Sequence, residues 1–288
     1  MANFPWPDGK RCAVALTFDM DGECVPMIYD PQNYQKRLSL QSEGTYGPNV
    51  GVPRILDLLD RHGIQASFFV PGFTAERHPD LLREMIARGH EVGHHGYLHE
   101  RPDFVDEAAD ERIMIRGLEV LESITGRRPR GYRSPAWELK PTSPALLKKY
   151  GFVYDSSLMG DDEPYLIDAG EEKLLEIPIQ WMNDDWAYFG YCSIPALGNG
   201  ISSPQAVFEI WSEEFAGYYD VGGCYVLTMH PFVIGRPSRQ RLLDRLIRYI
   251  EGFEGVWITT LGQIADHALA TGGARYRPYA DLTIASRP

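Results

Sequence analysis

The stretch Ala13-Val14-Ala15-Leu16-Thr17-Phe18-Asp19-Met20-Asp21-Gly22 runs an apolar segment straight into two carboxylates. Its first part reads as a β-strand over 12–18, and strand-like and helix-like segments alternate outward from it. Further strands are expected near 65–70, 90–94, 130–133, 152–155, 174–178, 223–229 and 255–258. Helices fit between them at 51–62, 79–88, 106–124, 143–150, 204–219, 238–251 and 260–270. Such alternation is the pattern of βα units around a parallel sheet or barrel. Pro79 and Pro204 suit first helical positions, Ser143 and Ser203 suit caps, and Gly63, Gly89 and Gly151 stand where helices should end.

In a parallel barrel the functional groups collect at the C-terminal ends of the strands. Asp19, His94 or His95, Arg133, Asp155 and His230 each follow an apolar run and so fall in that class. Two longer segments, 23–49 and 181–203, interrupt the alternation as loop insertions. The second is dense in Trp181, Trp186, Tyr188, Phe189 and Tyr191, which suits an ordered lid or pocket wall.

Composition narrows the partners. With 288 residues, 44% hydrophobic and 24% charged, the chain has the make-up of a globular protein with a sizeable core. No apolar stretch reaches the ~18 residues of a membrane span, so no membrane partner is expected. A net charge of -12 argues against a nucleic-acid partner, whose phosphates need a basic footprint. Residues 1–10 show no basic start followed by an apolar segment, and Cys12, Cys24, Cys192 and Cys224 form no C-x-x-C pair. A cytoplasmic protein with buried, reduced thiols is the expectation.

In an extended strand Asp19 and Asp21 would face the same way, roughly 6.5 Å apart, so one can bind a metal while the other faces its water. Strand-end aspartates can also cap the next element or turn with Gly22. His95 and His99, spaced i and i+4, would share one face of a helical turn, and neutral imidazole suits zinc and other borderline divalent ions. An isolated pair at that spacing can equally be two surface histidines. His94 cannot share their face, so it is expected either to support the ligands from behind or to be structural. Arg133 beside a carboxylate would hold it ionised and could orient it bidentately, or it could form a surface ion pair. His230 has the type and place of a general acid, with a core histidine bonded to a carbonyl as the alternative. His62, His78, His90 and His267 lack partners in the pattern and are read as structural.

Taken in order, Thr17-Phe18-Asp19-Met20-Asp21-Gly22, His95-x-x-x-His99, Arg133-Ser134-Pro135 and Leu227-Thr228-Met229-His230 resemble the successive motifs of the polysaccharide deacetylase family, carbohydrate esterase family 4. The resemblance implies an α/β fold, a distorted (β/α) barrel of seven or eight strands, here one domain over 1–288. It also implies one divalent metal on an aspartate and two histidines, a second aspartate as base and a histidine as acid. Carried onto this chain, Asp21, His95 and His99 are expected to hold the metal, with zinc as the ion. Asp19 is then the base, Arg133 its partner and His230 the acid, while Trp137, Trp181 and Trp186 are candidates for packing against substrate.

Two features depart from the common family pattern: Met20 separates the aspartates, and Gly96 replaces the usual Ser or Thr after the first histidine. Both resemble a branch that includes cyclic-imide hydrolases, allantoinase-like proteins and certain peptidoglycan deacetylase-like proteins, whose members tend to be tetramers. The expected activity is hydrolysis of a non-peptide C–N bond in a small cyclic imide or ureide. Its alternative is N-deacetylation of N-acetylglucosamine residues in a glycan. A non-haem iron oxygenase would use the same ligand types but leave Asp19, Arg133 and His230 without work. A non-catalytic carbohydrate-binding protein would leave the whole set idle.

Overall fold

The computed structural model describes residues 4–193, 196–197 and 201–279. The strands among these described residues are β1 Cys12–Asp19, β2 Ser67–Val70, β3 Glu91–His94, β4 Gly131–Tyr132, β5 Tyr154–Asp155, β6 Tyr165–Ala169, β7 Glu172–Glu176, β8 Cys192–Ser193, β9 Ala196–Leu197, β10 Cys224–Met229, β11 Val256–Ile258 and β12 Arg275–Tyr276. The helices are α1 Cys24–Tyr29, α2 Leu38–Tyr46, α3 Val52–His62, α4 Gly72–Arg77, α5 Pro79–Ala87, α6 Glu107–Thr125, α7 Ser143–Lys149, α8 Trp186–Phe189, α9 Pro204–Val221, α10 Pro231–Ile234, α11 Pro237–Glu251 and α12 Leu261–Thr271.

Ten strands form one curled sheet in the order β10-β1-β2-β3-β4-β5-β7-β6-β12, with β11 also pairing β1. All pairs in it are parallel except β6 with β7. β1 is flanked on both sides by other strands and every residue of it is buried, which is why it reads as an unbroken apolar run and not as an alternating one. One edge of β1 pairs with β10 from Ala13 to Phe18; the other meets β11 at Cys12–Val14 and β2 at Thr17–Asp19. The strands therefore splay at the N-terminal end of β1, and among the described residues no pairing joins β10 to β12. This is the distorted barrel the sequence implies, with its wall left open.

The helices cover the outer face. α3, α9 and α11 press Leu56, Leu59, Trp211, Phe215, Leu243 and Ile247 against Val14, Leu16 and Phe18 in one apolar cluster. A second cluster, including Ala13, Ala15, Phe69, Tyr154, Leu175 and Val226, fills the other face. The caps match their signals. Ser203 caps α9 ahead of Pro204, and Gly63, Gly89 and Gly151 take φ of 63°, 84° and 83°. Ser143 differs, standing inside the first turn of α7 while Thr142 is the cap.

One expectation about the elements needs correction. Segment 23–49 is not a loop: it carries α1, α2 and the entry to α3. Only Leu40 and Gly44 of α2 are buried, so it has no apolar stripe by which to be recognised. It is held by close backbone approach instead. A Cβ on Gly44 would lie 2.9 Å from Glu23 Cα, and one on Gly51 would lie 2.1 Å from Pro231 O. Between the strands expected near 152–155 and 174–178 the structure adds one that the alternation leaves out: β6 turns back at Gly170 (φ 73°) to pair antiparallel with β7. Cys12, Cys24 and Cys224 are buried as expected, and burial pushes the Cys12 and Cys24 thiols up to about 12. The side chain of Cys192 lies outside the described residues. No helix among the described residues is long and apolar enough to cross a membrane.

His94 ends β3 with its ring in the core, stacked on Tyr132 and edge-on to Phe152. Its Nε2–H donates to Met114 O and its Nδ1 accepts from Gly96 N–H, so the ring is neutral, and burial lowers its pKa to about 3. The unfolded chain protonates this histidine below pH 6.5 while the folded chain does not. Stability contributed by the neutral ring is thus full above pH 6.5 and falls as the pH drops toward 3. The slope should be roughly 1.4 kcal/mol per pH unit from this group alone. Denaturant midpoints between pH 7 and 4 should show it, and His94→Gln, which keeps a donor for Met114 O, should flatten the curve.

Candidate metal and hydrolytic centre

Asp19 is the last residue of β1; two residues on, Asp21 stands beyond the strand, where its carbonyl accepts from Thr74 Oγ1 and Cys24 N. Both carboxylates are buried and border one cavity of about 260 Å³ at the C-terminal edge of the sheet. His95, His99 and His230 open onto the same cavity.

The histidine pair converges, but not on a helical turn. Residues 95–100 form an irregular loop in which Gly96 and His99 take φ of 72° and 62°. Glu100 clamps that loop by accepting the N–H groups of Tyr97 and Leu98 at 3.2 and 2.7 Å. The rings of His95 and His99 meet edge to face, 4.9 Å apart. His95 Nδ1–H donates to Arg133 O at 2.7 Å, which leaves the lone pair on Nε2 facing Asp21 Oδ1 at 3.4 Å. His99 Nε2 lies 3.8 Å from the same oxygen.

Asp21 Oδ1 is buried and, among the described residues, accepts no hydrogen bond. An orphaned carboxylate oxygen facing two imidazole nitrogens is an arrangement a divalent cation satisfies. Burial opposes ionisation of Asp21, yet His99, His95 and His230 outweigh it and hold the acid down to about 2. Burial also lowers His99 to about 4, so at neutral pH its ring keeps the lone pair a metal needs. The three groups fit one borderline divalent ion. Cys24 stays out of the set, its thiol against Thr74 Oγ1.

Arg133 is fully buried after β4, not on the surface. Its Nη1 donates to Asp19 Oδ1 at 3.0 Å and to Thr17 Oγ1 at 2.7 Å, while Nε and Nη2 hold Ser156 O and Ser156 Oγ. The grip on Asp19 is through one nitrogen, so the bidentate fork is not formed, and the guanidinium rests over the Phe69 ring. His230 follows β10 with Nε2 toward the cavity, 3.8 Å from Asp21 Oδ2. Its Nδ1–H and its backbone N–H both donate to the Asp185 carboxylate, at 2.7 and 3.0 Å. Burial would lower this histidine, but Asp185 and Asp184 raise it well above its usual value. These acids favour the protonated ring, which carries an Nε2–H directed at the site.

Asp184 and Asp185 were missed at the level of sequence, where segment 181–203 stood out for its aromatics alone. The signal present was two adjacent acids beside Trp186. Backbone pairing to Thr228 brings them alongside β10, two residues before His230. All three tryptophans reach the cavity wall. Trp137 is buried and stacks on the half-exposed Trp181 at 4.2 Å, and Trp186 packs against Phe232 near His230. Four described non-glycine residues have positive φ, and His99, Ala136 and Trp137 of this cavity are three of them. Backbone strain of this kind costs of order 1–3 kcal/mol per residue and gathers at functional sites. His94 lies behind the site. His62, His78, His90 and His267 are spent on Asp244 and Glu251, Glu23, Ala66 N and Pro5 O respectively.

Comparison with known proteins points the same way. A family model described as polysaccharide deacetylase matches residues 44–154. The peptidoglycan deacetylase of Helicobacter pylori is 31% identical over 254 residues, 79% of this chain and 87% of its own length. Among solved structures, a Mycobacterium smegmatis protein classed with the polysaccharide deacetylases is 43% identical and superposes with a TM-score of 0.90 over 96% of each chain. The Puue allantoinase is 27% identical, with a TM-score of 0.82 over 95% of each chain.

Proposed function

Because the chain belongs to the polysaccharide deacetylase family, we propose that it is a metal-dependent hydrolase of non-peptide C–N amide bonds whose substrate is a small cyclic imide or ureide. The observation that carries this reading is the orphaned Asp21 oxygen facing two imidazole nitrogens, in one cavity with a second carboxylate and a third histidine, His230. Asp21, His95 and His99 would hold the ion, taken here as zinc, which supplies Lewis acidity toward the scissile carbonyl and toward the attacking water.

The remaining steps belong to the chain. Asp19, held by Arg133, accepts the proton that the water releases on attack. His230 then delivers the proton on its Nε2 to the departing nitrogen, and Asp185 keeps the ring turned and charged for that transfer. Trp137, Trp181 and Trp186 wall the reacting group from bulk water. The same reading takes the protein as a cytoplasmic homotetramer.

A small ring is favoured by the size of the cavity, about 260 Å³, and by its aromatic wall, in which Trp137 and Trp186 both take part and Trp186 packs near His230. N-deacetylation of N-acetylglucosamine in a glycan is the second reading. It is favoured by Trp181, which is 47% exposed at the rim and offers a face on which a sugar ring can stack. A panel of succinimide, hydantoin and allantoin against N-acetylglucosamine oligomers, with and without chelator, separates them. Chelator-sensitive ring opening is the expected result; turnover of the oligomers alone would move the chain to the second reading.

A further inference from the structure

Behind Arg133 lies a second pair of carboxyls that the reaction does not touch. Asp155, at the end of β5, and Glu176, at the end of β7, are register partners in parallel strands and both are fully buried. Glu176 Oε1 accepts the N–H groups of Ser157 and Leu158 at 2.9 and 2.8 Å, and Asp155 Oδ1 accepts from Ser157 Oγ at 2.8 Å. The other oxygen of each, Asp155 Oδ2 and Glu176 Oε2, has no further donor among the described residues. Register partners on neighbouring parallel strands project from the same face of the sheet, and two carboxyls placed side by side in a dry site do not both ionise, so one proton held by the pair supplies a donor where none is otherwise present. The proton is placed on Glu176: burial and the Asp155 charge raise it well above its usual value, whereas at Asp155 burial is opposed by the Glu176 and Ser157 contacts and by the Arg133 cation.

What this pair grips is the frame of the site. Ser156, between Asp155 and Ser157, supplies both oxygens that hold the outer side of the Arg133 guanidinium. Ser157 Oγ in turn accepts the N–H of Ser134 at 2.9 Å, the residue that leads into the strained Ala136 and Trp137 of the cavity wall. We propose that Asp155 and Glu176 are positioning residues for the hydrolytic reaction: an acid pair sharing one proton, which fixes Ser156 and Ser157 and through them the Arg133 grip on Asp19 and the Ser134–Trp137 wall. The inference rests on the reading of Asp19 as the base.

The test compares Glu176→Gln, Glu176→Ala and Asp155→Asn in the folded, zinc-loaded protein, following kcat, KM, zinc affinity and the infrared stretch of a protonated carboxyl at neutral pH. Glu176→Gln keeps a donor toward Asp155 and an acceptor for Ser157 and Leu158, so turnover should survive while the protonated-carboxyl band disappears. Glu176→Ala should lower kcat by about 10- to 100-fold, with KM and zinc affinity unchanged. Asp155→Asn, nearly isosteric, moves the charge away from Arg133 and should lower kcat in the same way, which keeps the test decisive if the alanine variant does not fold. Equal kcat in wild type and Asp155→Asn, or a wild type lacking the band, would overturn the proposal. Full turnover by Asp19→Asn would instead overturn the base assignment, whatever the Glu176 variants do.

Discussion

Asp19→Asn should bind zinc as tightly as the wild type and yet lose turnover by about 10²–10⁴. The amide has the shape of the carboxylate and still offers Oδ1 to Arg133 Nη1, so the buried guanidinium keeps a partner and the fold has no reason to collapse. It cannot accept the proton released by attacking water, however, and that is the task assigned to this residue. Asp21, His95 and His99 are untouched by the change. His95→Ala is the contrasting case: it removes one of three metal-facing groups and the donor to Arg133 O, so metal and turnover should go together. Zinc content by elemental analysis, read beside kcat, separates the two. Equal metal loss in both variants would overturn the division of labour between Asp19 and Asp21.

His230→Gln should cost about 10²–10⁴ in kcat on an unactivated amide or imide. The loss should be far smaller on an aryl acetate, whose leaving oxygen departs without a proton. A metal-site defect would slow both substrates alike, so the ratio of the two losses identifies the acid. Asp185→Asn probes the same proton through its pH dependence. In the wild type the Asp185 and Asp184 charges raise His230 well above its ordinary value, so the acid form persists past neutrality. Removing the Asp185 charge lowers that value, and the alkaline limb of the kcat profile should move to lower pH. An unmoved limb would mean that some other group donates the proton.

The elements legible in the sequence were those with both a period and punctuation. α3, with Ile55, Leu56, Leu58 and Leu59 on its buried face and Gly63 closing it, declares itself in eleven residues. α2 carries no apolar face and is fixed by the approach of Gly44 to the backbone of Glu23, which only tertiary structure shows. β6 was hidden because the expected βα rhythm leaves no place for a hairpin, and its polar neighbours resemble a solvated loop.

The candidate site divides along the same line. Asp19, Asp21, His95, His99, Arg133 and His230 fall at or shortly after strand ends in recognisable order, and the structure brings them to one cavity and its supporting wall. The manner of convergence was not legible. His99 arrives through a left-handed residue in a loop clamped by Glu100, and no spacing rule for helices describes that. Asp185 is 45 residues from the histidine it orients, and Glu176 meets Asp155 only because β7 follows β5 in the sheet. Pairings between distant segments are set by topology, whereas local sequence reports only the groups that each segment can contribute.

Titration of chelator-stripped protein with zinc, following hydrolysis of its best substrate from the imide and glycan panel, tests the central claim most directly. Activity should be absent at the start, rise in proportion to added metal and level off at one equivalent per chain. Turnover by the stripped protein, or a bound equivalent of zinc that restores none, would contradict a hydrolytic centre built on Asp21, His95 and His99.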